Sequence, residues 1–278
     1  MEEENELDAA KRWDLASKIW DLRMGRDGDW YNKYVLYPAI LGLLQNVSGK
    51  RILDAGCATG CLSRLLAKNG AVVTGMDISE GLLNKARGYE IETPLGISYI
   101  QGDLSETVSY FGPSGFDYIV CNMVIQDVSN YEATLHSLAH VLRGDGKLIV
   151  STSHPCFIAS STQLGWKIMV KPNKIISSGP GISHLESVGE LKGIVHKMDN
   201  YFQRIQFPRE WEPGIITISF RRTLEDYVKV MYDSGLAIIR ILEPLPTEDG
   251  KNRSPYIARL LERIPHFIVF ELAIRQKV

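Results

Sequence analysis

The chain has 278 residues, of which 45% are hydrophobic and 23% are charged. That length accommodates one large α/β domain, or one domain with an insertion. The formal net charge of −2 gives no general attraction to nucleic acid or anionic membranes, so small molecules are the expected partners. The four cysteines form no Cys-x-x-Cys pair, and no apolar stretch is long enough to span a membrane. We therefore expect no disulfide framework, zinc site, signal peptide or membrane segment, and a cytoplasmic location.

The first 48 residues predict two helices with a break between them. One imperfect apolar stripe ends near Leu22, and a second helical stretch runs from Trp30 to Leu44. The intervening segment 24–29 contains two glycines and two aspartates, which interrupt helices. We expect residues 1–48 to form a helical lid that is hinged within this segment. The apolar positions of the first helix are Trp13, Ile19, Trp20 and Leu22.

A short apolar strand that starts at Arg51 turns through a small loop directly into a helix. The loop, residues 56–60, places the free N–H groups of that helix beside the end of the strand. A second apolar stretch, Ala71 to Met76, is followed by Asp77, about 20 residues after the loop, which is the usual spacing for a carboxylate that holds ribose hydroxyls. The pattern predicts a nucleoside-binding turn between parallel strands.

The loop departs from the pattern that binds a dinucleotide. That pattern needs glycine at three positions, whereas Ala58 stands at the second position and Cys61 at the third. Asp54, just before the turn, would repel a pyrophosphate but can accept a hydrogen bond from a cationic amino group, directly or through water. The ligand that suits these residues is an adenosine with a positively charged tail.

Several segments, in their order along the chain, resemble the class I S-adenosylmethionine-dependent methyltransferases. The first is the acid-x-Gly-x-Gly-x-Gly loop of that family, which Asp54 to Gly60 match with Ala58 in place of the middle glycine. The segments that follow are Asp77, Gln101 to Leu104, Phe116 to Val124, and Leu142 to Val150. The resemblance implies S-adenosyl-L-methionine as the cofactor. It also implies an α/β, Rossmann-like fold, in which a seven-stranded, mostly parallel sheet has helices on both faces.

The matched positions supply the expected cofactor-binding residues. These are Asp54, Gly56, Cys57, Ala58, Gly60, Asp77, Ile78, Gly102, Asp103, Leu104, Asn122 and Met123. Simpler structural roles stay open for three of them. Asp77 can begin the next helix together with Ser79, Asp103 can form a turn, and Asn122 can cap a strand. The cysteines are expected to be small apolar wall residues with no chemical role.

Strands and helices alternate between residues 49 and 153, and the alternation fails from His154 to about Phe220. Within the second region, Met198 to Phe207 and Ile215 to Arg222 predict two strands. Their connection runs through Pro208, Pro213 and Gly214. We expect residues 154–220 to form a substrate cap that is inserted, after the fifth strand, into a methyltransferase domain of residues 49–278.

Helix-start signals flank this region, and two strands follow it. Capping boxes at Ser129 and Thr223 predict the start of a helix at each position. The apolar stretches Leu236 to Leu242 and Phe267 to Ile274 predict two strands. The resemblance implies that these two strands form a hairpin, which adds one antiparallel strand to the sheet.

His154 is the candidate general base, because it directly follows the fifth predicted strand, where open parallel sheets bind ligands. The alternative is a histidine that shapes the turn before Pro155, or one that contacts substrate without taking a proton. Gln126 and Asp127 are a second candidate pair for substrate contact, and their alternative is a polar loop. The expected substrate-binding residues are Trp30, Tyr31, Tyr34, Gln126, Asp127, His154 and Tyr201. For the aromatic residues, packing of an amphipathic helix onto the core is the competing explanation.

The leading hypothesis is a methyltransferase that acts by in-line displacement on an O, N or C atom of a small organic acceptor. Its alternative is a noncatalytic protein that binds S-adenosylmethionine or S-adenosylhomocysteine. A nicotinamide oxidoreductase is disfavoured by Ala58 and Cys61. Nucleic-acid amines are disfavoured because Asn122-Met123-Val124-Ile125 replaces the Asn-Pro-Pro-Tyr of enzymes that methylate them, and no acidic cluster predicts a metal. The sequence does not fix the acceptor or the oligomeric state.

Overall fold

The structure is a computed structural model that describes residues 8–157, 166–170, 174–178, 191–195 and 201–276. The strands of these residues, in chain order, are β1 (Arg51–Ala55), β2 (Val72–Asp77), β3 (Ser98–Gln101), β4 (Phe116–Asn122), β5 (Leu142–Ser153), β6 (Trp166–Val170), β7 (Lys174–Ser178), β8 (Leu191–Val195), β9 (Gln206–Glu212), β10 (Ile215–Phe220), β11 (Leu236–Leu242) and β12 (Phe267–Ile274). The α-helices are α1 (Ala9–Met24), α2 (Tyr37–Leu44), α3 (Cys61–Lys68), α4 (Glu80–Glu92), α5 (Thr107–Phe111), α6 (Tyr131–Val141), α7 (Leu224–Asp233), α8 (Glu248–Arg253) and α9 (Pro255–Leu261).

Seven strands form one sheet in the order β11-β12-β5-β4-β1-β2-β3. The neighbours from β3 to β5 all pair in parallel, whereas β12 runs antiparallel to both β5 and β11. The predicted fold, with its single antiparallel strand, is confirmed. The strand order changes direction between β1 and β4, and open sheets bind ligands in the crevice at the carboxyl ends of such a pair.

Successive side chains of a strand point to opposite faces of the sheet, so the apolar central strands have two faces to bury. Helices cover both of these faces. Leu53 and Ile119 lie in a buried cluster with residues of α6 and α7. Ile52 and Val120 lie in a second cluster with residues of α2 and α3. Full burial of one such side chain contributes about 1.5–3 kcal/mol, so the two clusters hold the central strands and their carboxyl ends in place.

The N-terminal region contains the two predicted helical stretches and the break between them. The second stretch begins with a π-helix over Asn32–Leu36 before α2 continues it, which the sequence did not predict. In α1, Trp13 and Trp20 pack against Trp211 of β9, with ring centroids 5.9 and 5.1 Å from it. Leu22 was expected on the apolar stripe, but it is 78% exposed, so that part of the prediction is wrong.

One of the two predicted capping boxes is confirmed and the other is wrong. The Thr223 hydroxyl accepts a hydrogen bond from the Asp226 N–H, and the Asp226 carboxylate accepts one from the Thr223 N–H. At the start of α6 the cap is Asn130, not Ser129, because the Asn130 side chain accepts from the Ala133 N–H at 3.1 Å. The helix therefore begins one residue later than the box predicts.

The hairpin of β9 and β10 is shifted along the chain from its predicted position. Tyr201 to Ile205 form no strand, and residues 198–200 lie outside the described residues. Pro208, expected in the connection, pairs with Ile218 inside the hairpin instead. Proline is tolerated there because, among the strands that the structure describes, β9 has β10 as its single neighbour, and an edge position interrupts no second ladder.

The C-terminal strands β11 and β12 have the predicted bounds and form the expected hairpin. The connection between them contains α8 and α9, which the sequence analysis did not predict. Thr247 caps α8 by accepting from the Gly250 N–H, and Pro255 opens α9. Among the described helices, none combines the length and the apolar character needed to cross a bilayer.

Candidate functional site

The glycine loop, residues 56–60, follows β1 and is tied to the neighbouring strand. The N–H groups of Gly56 and Cys57 both donate to the Met76 carbonyl of β2, at 2.7 and 3.0 Å. Gly60 has a φ of 74° and Ala58 a φ of 48°, so the second glycine position of the family motif is left-handed here. That conformation is strained for alanine, and backbone strain of this kind is concentrated at functional sites.

Asp77, at the end of β2, reaches across to the glycine loop. Its two carboxylate oxygens accept hydrogen bonds from the N–H groups of Ala58, at 2.8 Å, and Ser79, at 3.0 Å. Burial raises the pKa of Asp77 to about 6, although the backbone hydrogen bonds oppose the shift. Ser79 caps α4 by accepting from the Leu82 N–H. The carboxylate therefore has lone pairs left for hydroxyl groups, and the helix-capping role belongs to Ser79.

Asp54 is buried at the end of β1, with 2% of its surface exposed. The Ser63 hydroxyl of α3 donates to it at 2.5 Å. Burial raises the pKa of Asp54 to about 7; the Ser63 hydrogen bond opposes the rise, and the charge of Asp77 adds to it. A carboxyl group in this state is poised to lose its proton beside a cationic ligand.

The segment after β3 forms the local turn that was one of the two roles expected for Asp103, and its contact with the cofactor stays a prediction. Asp103 is exposed and accepts from the Ser105 N–H and hydroxyl, both at 2.8 Å, so it forms the local turn. Leu104 is 6% exposed and belongs to the core. A Cβ on Gly102 would lie 2.4 Å from the Met76 methyl carbon, so a larger residue there would displace the end of the Met76 side chain. Ile78 is half-buried, and its carbonyl accepts from the Gln101 side chain.

The end of β4 carries Asn122 and Met123. The Asn122 side chain accepts from the Ser151 hydroxyl at 2.8 Å and donates to the Asn32 side chain at 3.1 Å. Met123 has a φ of 58°, a second strained position at the same edge of the sheet. Because β2, β1 and β4 are neighbours, their carboxyl ends bring together the glycine loop, Asp54, Asp77 and Asn122.

The N-terminal region covers this edge of the sheet. Asp14 of α1 accepts from the Ser79 hydroxyl at 2.6 Å and from the Gly81 N–H at 2.8 Å, so α1 is anchored to the start of α4. Trp30 packs against Tyr31 and Tyr34, with ring centroids 5.5 and 5.7 Å away.

Beyond their shared contact with Trp30, Tyr31 and Tyr34 have different neighbours. Tyr31 stacks on His266, with centroids 6.0 Å apart and an angle of 11° between the rings. Tyr34 packs against α8, where its carbonyl accepts from the Thr247 N–H. Tyr31 therefore lies near His154, whose N–H donates to the His266 carbonyl, whereas Tyr34 contacts α8. Substrate contact stays a prediction for both tyrosines.

His154 is 4% exposed and both of its ring nitrogens have partners. Nε2 lies 2.9 Å from the Glu243 carboxylate, and Nδ1 accepts from the Cys156 N–H at 3.2 Å. This pattern fits a neutral ring with its proton on Nε2. Burial lowers the pKa of His154, and the hydrogen bond and charge of Glu243 oppose that shift. The contact with Cys156 is the turn-shaping role, and the contact with Glu243 orients the ring.

Gln126 and Asp127 are engaged in contacts inside the protein. The Gln126 side chain donates to the Met123 carbonyl at 2.5 Å and accepts from the Thr152 hydroxyl at 3.0 Å. Asp127 accepts from the Ser219 hydroxyl of β10. Burial raises the pKa of Asp127, and the charge of Arg209 and the bond from Ser219 oppose the rise. This pair anchors the β9–β10 hairpin to the end of β4.

Tyr201 likewise has a structural partner, since its hydroxyl accepts from the Leu224 N–H at 2.8 Å. The sequence analysis missed three residues at this edge, Asp14, Asn32 and Glu243. Each acts through a partner that is 65 or more positions away in the chain. A local sequence pattern therefore carries no signal for them.

Residues 53–150 match the family described as "Methyltransferase domain". One curated relative is the ubiquinone biosynthesis O-methyltransferase of Idiomarina loihiensis, which is 32% identical over 163 residues. That alignment covers 55% of this chain and 65% of the relative, so the chain spans less than two thirds of that protein's length.

Solved structures share the fold over most of the chain. An S-adenosylmethionine-dependent methyltransferase from Mesorhizobium loti has a TM-score of 0.67 at 24% identity, with 89% of this chain and 99% of that chain covered. Magnesium protoporphyrin IX methyltransferase from Synechocystis PCC 6803, solved with bound S-adenosylhomocysteine, has a TM-score of 0.56 at 19% identity, with 96% and 97% covered. At these identities the likeness concerns the fold alone, and the residues of the site must be argued from their own geometry.

Proposed function

We propose that this chain, which carries a class I S-adenosylmethionine-dependent methyltransferase domain, transfers a methyl group from S-adenosylmethionine to a small organic acceptor. The observation that carries the proposal is the arrangement of two buried carboxylates around the glycine loop. Asp77 is bonded to the loop, and Asp54 lies at the end of the adjacent strand. The domain match over residues 53–150 includes both carboxylates and the loop.

The chemistry of these residues fits the methyl donor. Asp77 is held by two N–H groups and has acceptor capacity for the two ribose hydroxyls. Asp54 is a buried acid, so a cationic amino group would compensate for its charge there. Pyrophosphate would meet both of these negative charges, which is a further argument against a dinucleotide. When bound, S-adenosylmethionine supplies an electrophilic methyl group on a sulfonium.

Positioning is the main contribution of the protein to this reaction. Methyl transfer is an in-line displacement, and alignment of two reactants can contribute about 7–11 kcal/mol. The strained loop, Asp54 and Asp77 would fix the donor, and the end of β4 would face the acceptor. α1 and the residues that follow it cover this edge and would exclude water from the reacting atoms.

We propose an oxygen atom of a small acceptor as the favoured target. Two curated relatives that match about half of this chain are named as O-methyltransferases, which supports this choice over nitrogen or carbon. A hydroxyl acceptor must lose its proton, and His154 is our candidate for that step. Glu243 would hold the ring and stabilise its charged form, while Nδ1 would exchange its weak bond to Cys156 for one to the acceptor. The proposal includes a cytoplasmic location, no nucleic-acid substrate and no bound metal.

Two measurements separate this proposal from its alternatives. Calorimetric titration with S-adenosylmethionine, S-adenosylhomocysteine and NAD should show binding of the first two compounds alone. Tight binding of NAD without the sulfonium compound would refute the donor assignment. Transfer of a labelled methyl group to small phenols and other hydroxyl acceptors should then separate an enzyme from a binding protein. Donor binding without transfer to any pool of small metabolites would favour the noncatalytic alternative.

A further inference from the structure

Arg64 is a buried cation beside the glycine loop that has no part in the chemistry above. It lies in the first turn of α3, four residues after Gly60, and 3% of its surface is exposed. A guanidinium is costly to bury unless its N–H groups are hydrogen-bonded. The hydrogen-bond partners of Arg64 therefore identify the segments that this buried side chain connects.

Those partners belong to three separate parts of the chain. One terminal nitrogen donates to the Thr59 carbonyl of the glycine loop at 2.6 Å. The other donates to the Arg26 carbonyl, after α1, at 2.5 Å. The guanidinium carbon also lies 4.4 Å from the ring centroid of Tyr89 in α4. One side chain thus joins the loop, the N-terminal region and the helix that follows Asp77.

The stretch that Arg64 holds, residues 25–32, is here called the lid segment. Two further contacts fix it to the same edge of the sheet. The Cys61 thiol donates to the Gly25 carbonyl at 3.4 Å, and the Asn122 side chain donates to that of Asn32 at 3.1 Å. Gly25 and Gly28 have φ values of 59° and 96°, so the segment bends at positions that only glycine adopts without strain.

We propose that Arg64 is a positioning residue that clamps the lid segment onto the glycine loop and thereby couples closure of the segment to binding of the methyl donor. The inference rests on the proposed function, because it takes the glycine loop as the donor site. The donor-side residues are already enclosed, since Asp54 and Thr59 are 2% and 1% exposed. Release of the clamp would open this edge to water and weaken every electrostatic contact with the donor.

Arginine is suited to this position in a way that lysine is not. Its planar fork reaches two carbonyls in different segments while its face lies on an aromatic ring. A lysine has one ammonium group and can bridge the same carbonyls only by leaving the ring of Tyr89. We therefore expect Arg64→Lys to be intermediate between the wild type and Arg64→Met, which removes all of these contacts.

Arg222 provides a matched control on the other side of the sheet. It is 7% exposed, donates to the carbonyls of Ile125, at 2.8 Å, and Ser129, at 3.1 Å, and faces the ring of Tyr131 at 3.9 Å. Arg222→Lys should lower the Tm much as Arg64→Lys does. It should leave donor binding and the lid segment unchanged.

Two readouts test the clamp. Hydrogen–deuterium exchange of the lid segment, without ligand, should be about tenfold faster in the Arg64 variants than in the wild type. Calorimetric titration with S-adenosylhomocysteine should give a Kd raised about tenfold, which corresponds to about 1.4 kcal/mol. Arg64→Lys keeps the charge and supplies both readouts if Arg64→Met does not fold.

Each outcome has a distinct meaning. Suppose that the wild-type protein binds the donor and that the Arg64 variants fold. Unchanged hydrogen exchange in the lid segment, or an unchanged Kd, then overturns the clamp and leaves the proposed function intact. Equal effects from Arg222→Lys overturn it as well, because they would reflect general destabilisation. If the wild-type protein binds neither S-adenosylmethionine nor S-adenosylhomocysteine, the proposed function is contradicted, and so is the coupling of lid closure to donor binding. The exchange measurement would still test whether Arg64 holds the lid segment in place.

Discussion

At the scale of single residues, Asp77 is the side chain on which donor affinity should depend most. Asp77→Asn keeps the size of the side chain and removes the charge, and a hydrogen bond to a charged group contributes about 1.5–3 kcal/mol. We expect calorimetric titration with S-adenosylmethionine to show affinity lower by roughly tenfold to a hundredfold.

Asp117 offers the control for this substitution. It also lies in a strand of the sheet and accepts from a backbone N–H, that of Arg51, but near the amino end of β4. Asp117→Asn should leave donor affinity unchanged. Equal affinity losses in the two variants would remove the ribose-binding role from Asp77.

Asp54 predicts a pH dependence of donor binding. Its pKa is raised to about 7, chiefly by burial, so the folded protein without ligand holds a proton there at lower pH. A cationic ligand favours the ionised carboxylate, so affinity should rise as pH increases toward 7, and binding should release a proton. Calorimetry in two buffers of different ionisation enthalpy measures that proton. Asp54→Asn should abolish the release, and a release of the same size in this variant would contradict the assignment.

His154 and Glu243 give a test that separates a base from a turn-shaping histidine. A base must be neutral, so turnover should rise with pH through its pKa. The Glu243 charge raises the pKa of His154 and so partly offsets the lowering caused by burial. Glu243→Gln removes that charge and therefore lowers the pKa of His154 further. The acid limb of the kcat profile should move to lower pH, and kcat should fall because the base is weaker. If His154 only shapes the turn, the acid limb of the kcat profile should not shift. Full activity in His154→Gln would also show that His154 is not the base.

At the scale of elements, α1 is fixed from two sides. Asp14 anchors it to α4, and Trp13 and Trp20 pack on Trp211 of the β9–β10 hairpin. The Trp211 carbonyl also accepts from Arg23 at 2.6 Å. The sequence predicts a hinged helical lid of residues 1–48 and an inserted cap of residues 154–220, and in the structure α1 of the first region packs on the β9–β10 hairpin of the second.

Trp211→Ala should therefore loosen α1 as well as the hairpin. Because Trp211 is half-buried, we expect the free energy of unfolding in urea to fall by about 3 kcal/mol, the lower end of the range for tryptophan, and hydrogen exchange in α1 to increase. Phe202→Ala is a suitable control, because Phe202 is 76% exposed and should change neither quantity. Unchanged exchange in α1 of the Trp211 variant would show that the aromatic contact does not hold the helix.

Elements with strong local signals were predicted well, and those set by distant partners were not. β11 and β12 have the predicted bounds because runs of seven and eight residues, each apolar except for one charged residue, define them. The N-cap of α6 was predicted one residue too early, because Ser129 and Asn130 both suit an N-cap and the structure uses Asn130. The π-helix after Tyr31 has no local signal, since the sequence there fits a regular helix equally well.

At the scale of the whole molecule, the topology was predictable because a parallel sheet with crossover helices fixes which strand ends meet. Asp54, the glycine loop, Asp77 and Asn122 converge for this reason. The acceptor-side residues stay a prediction. Gln126, Asp127 and Tyr201 are polar or aromatic residues near the right edge, but their hydrogen bonds go to other parts of the protein. The spacing of residues along the sequence indicates which edge of the sheet a residue lies near. It does not indicate which group the polar atoms of that residue will hydrogen-bond.

A crystal structure of the protein with S-adenosylhomocysteine tests the assigned donor site most directly. We expect the nucleoside in the crevice between the ends of β1, β2 and β4. Its ribose hydroxyls should lie about 2.7 Å from the Asp77 carboxylate, and its amino group should lie near Asp54. A nucleoside bound elsewhere, or a crevice that stays closed at saturating ligand while binding is measured in solution, would contradict this assignment.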